Sequence, residues 1–147
     1  MKIVLDTNIV FSSILSPNGT INELLLNSSD KIQFYSPESL IEELNNHHQK
    51  LIKISKYSEE EILFLKRNIL SKISVINLDY IKSISWEQAF DLSHDIDEFD
   101  TPFIALAIEL QAPLWTGDKK LIKGLKKKNV DWIYPTEELI NSNFLKR

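Results

Sequence analysis

Three carboxylates of this 147-residue chain stand where side chains can do chemistry. Asp6 follows the apolar run Ile3-Val4-Leu5, Asp118 follows Trp115-Thr116-Gly117, and Asp100 directly precedes Thr101-Pro102. Taken singly, each has a local use: Asp6 as a turn cap, Asp100 as a helix-dipole partner, and Asp118 as a turn residue or as the N-cap of a helix near Lys119. Gathered at one place they would repel one another, and their pKa values would rise unless a cation compensated them. Oxygen donors in a chain with three His and no Cys favour Mg²⁺ or Mn²⁺ over Zn²⁺. Such a carboxylate-held centre suits phosphodiester hydrolysis, where it activates water and stabilises the leaving oxygen, in its two-ion form with metals about 3.5 to 4 Å apart.

The elements that must position these acids alternate. Short apolar runs predict strands at Ile3-Val4-Leu5, Ile32-Gln33-Phe34-Tyr35, Val75-Ile76-Asn77-Leu78, Pro113-Leu114-Trp115-Thr116 and Trp132-Ile133-Tyr134. Between them a short helix is expected over Ile21 to Leu26. Ser36-Pro37 reads as an N-cap with Pro at the first helical position, opening a helix with Leu40, Ile41, Leu44, Leu51 and Ile52 on one stripe. Ser58 and Glu61 form a capping-box pair before Ile62, Leu65, Ile69 and Ile73. Thr101-Pro102 starts a helix so apolar from Phe103 to Ile108 that it must be buried. Strands that are apolar throughout and alternate with helices specify an α/β domain: three-layer α/β/α, with a central, mainly parallel sheet of about five strands. The stretch from Ser36 to Ile73 predicts a two-helix arm, and residues 1–147 read as a single domain without linker or repeat. In an open parallel sheet, ligands bind beyond the carboxyl ends of the strands, which is the rim where Asp6, Asp118 and Asp100 are expected to meet.

Composition narrows the classes. With 43% hydrophobic and 26% charged residues the chain has the balance of an ordinary globular domain. The absence of Cys excludes disulfide scaffolds, thiolate zinc sites and thiol catalysis, and fits a reducing, cytoplasmic setting. Asp6 and Asn8 interrupt the N-terminal apolar run after three residues, so no export signal is expected, and no apolar stretch approaches the roughly 20 residues that span a bilayer. The net charge of -4 hides a steep asymmetry: Asp79 to Asp118 holds 9 acidic residues and 1 basic, whereas Lys119 to Arg147 holds 8 basic and 3 acidic.

At the acids the sequence resembles the PIN-domain family of metal-dependent ribonucleases. The resemblance is carried by Val4-Leu5-Asp6-Thr7-Asn8, by Ser36-Pro37-Glu38-Ser39-Leu40-Ile41-Glu42-Glu43-Leu44, by Asp97-Glu98-Phe99-Asp100-Thr101-Pro102-Phe103-Ile104-Ala105-Leu106-Ala107, and by Trp115-Thr116-Gly117-Asp118-Lys119-Lys120-Leu121. It implies an acidic quartet of Asp6, Glu43, Asp100 and Asp118 holding Mg²⁺ or Mn²⁺, with Asp97 as an extra carboxylate and Asn8 and Thr116 as polar supports. Helical periodicity does not separate Glu42 from Glu43, since both flank the apolar stripe; alignment to the motif selects Glu43. The resemblance further implies RNA, single-stranded or structured, as substrate, and products with a 5′-phosphate and a 3′-hydroxyl. It extends to the VapC-like toxins of type II toxin–antitoxin systems, and so implies two protein partners, a cognate antitoxin and a second copy of the chain.

Lys119 and Lys120 follow the last acid and are candidates for attracting backbone phosphates; Lys126, Lys127 and Lys128, farther along, read as a solvated face. His47, His48 and His94 read as ordinary helix residues, and Trp86, Trp115 and Trp132 as core. Two other functions compete with metal-dependent RNA hydrolysis. One is a non-cleaving PIN-like domain that binds RNA or a protein. The other is a receiver-type phosphoacceptor domain with Asp79 as acceptor, which fits poorly because Asp6-Thr7-Asn8 lacks an acidic pair and Tyr134-Pro135 stands where a Lys is required.

Overall fold

The computed structural model describes residues 1–27 and 31–142. A five-stranded sheet is built from β1 (Lys2–Leu5), β2 (Gln33–Pro37), β3 (Ile73–Ile76), β4 (Leu114–Trp115) and β5 (Ile133–Tyr134). All neighbouring pairs are parallel, in the order β3-β2-β1-β4-β5. Between them lie α1 (Thr7–Leu15), α2 (Thr20–Asn27), α3 (Ser39–Asn46), α4 (His48–Ser55), α5 (Glu59–Leu70), α6 (Ser83–Ser93), α7 (Thr101–Leu110), α8 (Lys119–Lys127) and α9 (Thr136–Asn141). The expected α/β class is therefore the one found. The order also separates this fold from the receiver reading, whose doubly wound sheet runs 2-1-3-4-5.

The topology follows from β1. Ile3, Val4 and Leu5 are fully buried, as a strand must be when helices cover both faces of its sheet. From β1 the chain steps outward to β2 and β3, then crosses back to β4 and β5 on the other side. Because parallel crossovers are right-handed, the two directions of winding put their helices on opposite faces. The first group is α1 with α2 to α5, and the second is α6 and α7, with α7 packed on β1, β2 and β4. The reversal makes the crevice between β1 and β4 the switch point of the sheet. Phe103, Ile104, Leu106, Leu114 and Trp115 lie in the same buried core, each such side chain contributing about 1.5–3 kcal/mol relative to exposure.

Several expectations change in detail. Ser36 and Pro37 end β2 rather than begin a helix: the Ser36 hydroxyl donates to the Leu5 carbonyl (3.0 Å) and Pro37 pairs with Ile76, a strand-end position that needs no donor from proline. The helix that follows starts at Ser39 with Glu38 at the cap position. Its stripe is split at His47 into α3 and α4, so the arm has three helices rather than two, and it packs on α1. Helices α1, α6 and α9 are not among the expected elements. In α1, Thr-Asn-Ile-Val-Phe-Ser-Ser-Ile-Leu is rich in β-branched and short polar residues, whose helix propensity is modest, and tertiary burial of Ile9, Val10 and Ile14 decides the outcome. The Ser58–Glu61 capping box is present as expected.

Two joints bring later elements to the rim. Helix α7 runs back from the carboxyl side of the sheet toward the start of β4, and its C-terminus turns through Gln111 in the left-handed region (φ 52°). Gly124 lets α8 approach the Ile96 side chain closely; a Cβ there would lie 2.5 Å from Ile96 Cδ1. That approach ties the helix headed by Asp118 to the loop that carries Asp97.

Candidate active site

Asp6 sits at the carboxyl end of β1, just before α1, and is 5% exposed. One oxygen, Oδ1, accepts from the Thr7 backbone N–H (2.7 Å), the local capping role expected of it. The other, Oδ2, faces the switch-point crevice and accepts from the Thr116 hydroxyl (2.6 Å) and the Asn8 side-chain amide (3.4 Å). Thr116 is fully buried just beyond β4, and its hydroxyl also accepts from the Asp118 N–H (3.1 Å). Asn8 closes the group by accepting from the Gly117 N–H (3.0 Å) through Oδ1. Asp6, Asn8, Thr116 and the 117–118 backbone thus form one connected network across two strands.

Asp118 caps α8, its Oδ1 accepting from the N–H groups of Lys120 (3.0 Å) and Leu121 (3.2 Å). Glu43 comes from α3, and the Thr7 hydroxyl donates to its Oε2. Glu43 is half-buried toward Thr7, whereas Glu42 is exposed. Thr7 is a residue that sequence reasoning missed; its only signal is its place between Asp6 and Asn8.

Asp100 lies at the cap position of α7 but makes no side-chain capping bond. Its Oδ2 is buried with no hydrogen-bond partner among the described residues. Asp97 caps the short 3-10 turn Glu98–Asp100, accepting from the Phe99 N–H (3.0 Å).

The electrostatics show that these acids share one region. Burial pushes the Asp100 carboxyl up to about 8, and the charges of Asp6, Asp97, Asp118 and Glu43 all add to the rise. Burial also raises Asp6 to about 6; the hydrogen bonds from Thr116 and Thr7 oppose the rise, and Glu43 and Asp118 add to it. Glu43 is raised by burial and by Asp97 and Glu42, against the pull of Thr7 and His47. As placed, no three His, Asp or Glu side chains among the described residues are grouped tightly enough to chelate an ion. The donor set nevertheless fits a hard divalent cation: every group is a carboxylate, and one buried oxygen, Asp100 Oδ2, is without a partner among the described residues.

Lys119 and Lys120 open α8 and are exposed beside Asp118. Two of the later lysines do more than solvate a helix face: Lys126 pairs with Glu138 (2.6 Å), and Lys128 pairs with Asp95 and donates to the Leu92 carbonyl (2.8 Å). His94 bonds the Phe90 carbonyl through Nδ1 (2.9 Å) and stacks on the Phe90 ring. His47 meets Phe11 edge-on. Trp115 is core, and Trp86 and Trp132 are half-buried against it. A concavity of about 890 Å³ opens at the amino ends of β4 and β5 among Gln88, Asp91, Ala107, Gln111 and Trp132. It is on the rim opposite the acids, and its lining carries none of them.

A sheet of this order with acids at its switch point is matched by sequence comparison. The signature of the PIN domain covers residues 4–137. The chain belongs to the PIN-domain family. As a PIN domain it is 32% identical to the uncharacterized protein MJ1680 of Methanocaldococcus jannaschii, over 99% of this chain and 93% of that one. Two solved structures share the fold. One is VapBC2 from Rickettsia felis, bound to a DNA fragment from their promoter (TM-score 0.68, 17% identity, covering 92% of this chain and 97% of that one). The other is PAE2754 from Pyrobaculum aerophilum (TM-score 0.66, 13% identity, covering 100% and 91%). No helix among the described residues is long and apolar enough to cross a membrane.

Proposed function

We propose that this PIN domain is an endoribonuclease that hydrolyses RNA phosphodiester bonds at the cluster of Asp6, Glu43, Asp100 and Asp118, with Asp97 at its edge, using Mg²⁺ or Mn²⁺. The observation that carries the reading is the buried Oδ2 of Asp100, without a partner among the described residues and in the field of four other carboxylates. An isolated buried charge of this kind is costly, and groups so perturbed concentrate where chemistry is done.

Asp6 and Asp100 are the central ligands, with Glu43 and Asp118 completing the site or holding water. A divalent ion bound there supplies charge neutralisation and a water acidic enough to attack phosphorus near neutral pH. The protein's own residues do the positioning. Thr116 and Asn8 fix the Asp6 oxygen that faces the crevice, and Thr7 fixes Glu43. With one oxygen engaged by backbone, Asp118 keeps the other for the site. Lys119 and Lys120 draw the phosphate backbone to an otherwise repulsive rim. No protein nucleophile is required.

The likeness to VapBC2 supports a narrower reading, in which the chain is the toxin of a toxin–antitoxin pair, acts in the cytoplasm, and has an antitoxin and a second copy of itself as partners. The test of the nuclease reading is cleavage of a mixed RNA pool with mapped ends. The wild type should cut in Mn²⁺ or Mg²⁺, leave 5′-phosphates and stop in chelator, and Asp100→Asn should reduce cutting by about 100-fold or more, the scale of removing one preorganised group from an active site. Equal cutting by the variant, or cutting in excess chelator, overturns it.

A further inference from the structure

Phe99 is the most solvent-exposed of the large hydrophobic side chains described, at 76%. It stands between Asp97 and Asp100, and the chain takes trouble to hold it there. Asp97 Oδ1 accepts from the Phe99 N–H (3.0 Å), and the Asp97 carbonyl accepts from the Asp100 N–H (3.1 Å). The Glu98 carbonyl accepts from both the backbone and the hydroxyl of Thr101, whose hydroxyl is in turn 2.6 Å from Ser93 Oγ in the buried core. The turn that displays the ring is therefore anchored at both ends. Four residues on, Phe103 is 1% exposed, so the same short segment sends one ring into the core and one to water.

A ring carried into solvent by an anchored turn forgoes the stabilisation that burial would give. The usual account of exposed apolar surface is a protein interface, but those present contiguous patches. Here the flanking residues are Asp97, Glu98 and Asp100, and the ring meets no other aromatic among the described residues. One planar π-face set in a charged rim suits a planar, polar-edged partner. Nucleobases are such partners, and unpaired bases are commonly held by stacking on aromatic side chains.

We infer that Phe99 is a nucleobase-stacking platform that binds the base of a nucleotide next to the phosphate engaged by the acidic cluster. The inference rests on the nuclease reading and adds to it the residue that holds an unpaired base beside the engaged phosphate. In a duplex both faces of each base are already stacked, so the platform has nothing to bind.

The test is fluorescence anisotropy of the intact protein with three labelled probes in Ca²⁺, so that binding is read apart from turnover. The probes are single-stranded octauridylate, the same octamer in a duplex, and an abasic octamer. Phe99→Ala should weaken single-strand binding about 5- to 50-fold, the range one base–aromatic stack commands. Phe99→Tyr and Phe99→Trp should stay within about threefold of wild type by the same stacking. The abasic octamer should bind wild type and Phe99→Ala alike, the duplex should bind more weakly than the single strand, and Mn²⁺ affinity by calorimetry should be the same in all four proteins. Unchanged single-strand binding by Phe99→Ala, or an equal loss on the abasic octamer, overturns the stacking role while leaving the nuclease reading intact. A wild type that neither binds nor cuts RNA removes the nuclease reading, and this inference with it.

Discussion

The Thr116 hydroxyl donates to Asp6 Oδ2 at 2.6 Å, joining the ends of two adjacent parallel strands through residues 110 positions apart. The bond crosses the switch point of the sheet, and it holds the Asp6 carboxyl lower than burial alone would set it. Thr116→Val keeps the shape and removes the donor. It should weaken Mn²⁺ binding at pH 7 by about 10- to 100-fold, as removal of a partner behind a metal ligand commonly does. Thr116→Ser should remain within a few-fold. Calorimetric titration of both variants checks this, and equal affinities in wild type and Thr116→Val would remove the hydroxyl from the account.

The two raised carboxyls make metal-free stability fall with rising pH. Asp6 and Asp100 titrate at about 6 and about 8 in the folded chain, against an ordinary value of 3.8. The folded state therefore keeps protons that the unfolded chain releases. Their contribution is complete below about pH 4 and is lost as pH rises through 6 and then 8. In chelator, the Tm should decline from pH 5 to pH 9. Asp100→Asn, which carries no charge to bury, should flatten the upper part of that decline and raise the Tm at pH 8 by about 3 °C, the shift that about 1 kcal/mol gives a chain of this size. A Tm that climbs steadily over this range, with no gain in the variant, contradicts the assignment.

Glu43 and its neighbour Glu42 can be told apart. Glu43 receives the Thr7 hydroxyl, whereas Glu42 is exposed to solvent. Glu43→Gln should lower RNA cleavage by about 100-fold, the scale of removing one preorganised group from an active site. Glu42→Gln should leave it within about twofold, as most surface substitutions away from a site do. Steady-state cleavage of one defined RNA decides the matter; the reverse ranking would move the fourth acid to Glu42.

Lys119 and Lys120 should act through charge alone. Replacing both by Ala should weaken RNA binding at low salt and reduce the slope of log affinity against log salt by about 1.4, roughly 0.7 for each single-strand phosphate that a lysine neutralises. Mn²⁺ affinity should not change. An unaltered salt slope would leave these lysines as the solvated face of α8.

Much of this arrangement is legible in the residues, because local rules and the tertiary outcome agree there. Ile3-Val4-Leu5 reads as a doubly covered strand, the Thr101-Pro102 start marks a buried helix, and the strand–helix alternation fixes which rim Asp6, Asp100 and Asp118 reach. The sequence misleads where one residue pattern serves two structures. Ser36-Pro37 satisfies the rules for a helix start and equally those for a strand end, and the hydrogen bond to Leu5 and the pairing with Ile76 distinguish them. The role of Thr7 is invisible in one dimension, since its partner Glu43 is brought to it by the packing of α3 on α1. The exposure of Phe99 is likewise hidden: nearby Phe103 has the same side chain and the opposite environment.

The central claim is that separated acids act together on one divalent cation, and Mn²⁺ calorimetry across pH tests it most directly. For the wild type, apparent affinity should rise about tenfold per unit from pH 6 to pH 8, as one proton is displaced from Asp100 on binding. Asp100→Asn should bind about 100-fold more weakly at pH 8 and lose most of that pH dependence. A wild type that takes up no Mn²⁺ at millimolar concentration, or an Asp100→Asn variant that binds as tightly with the same slope, would contradict the account.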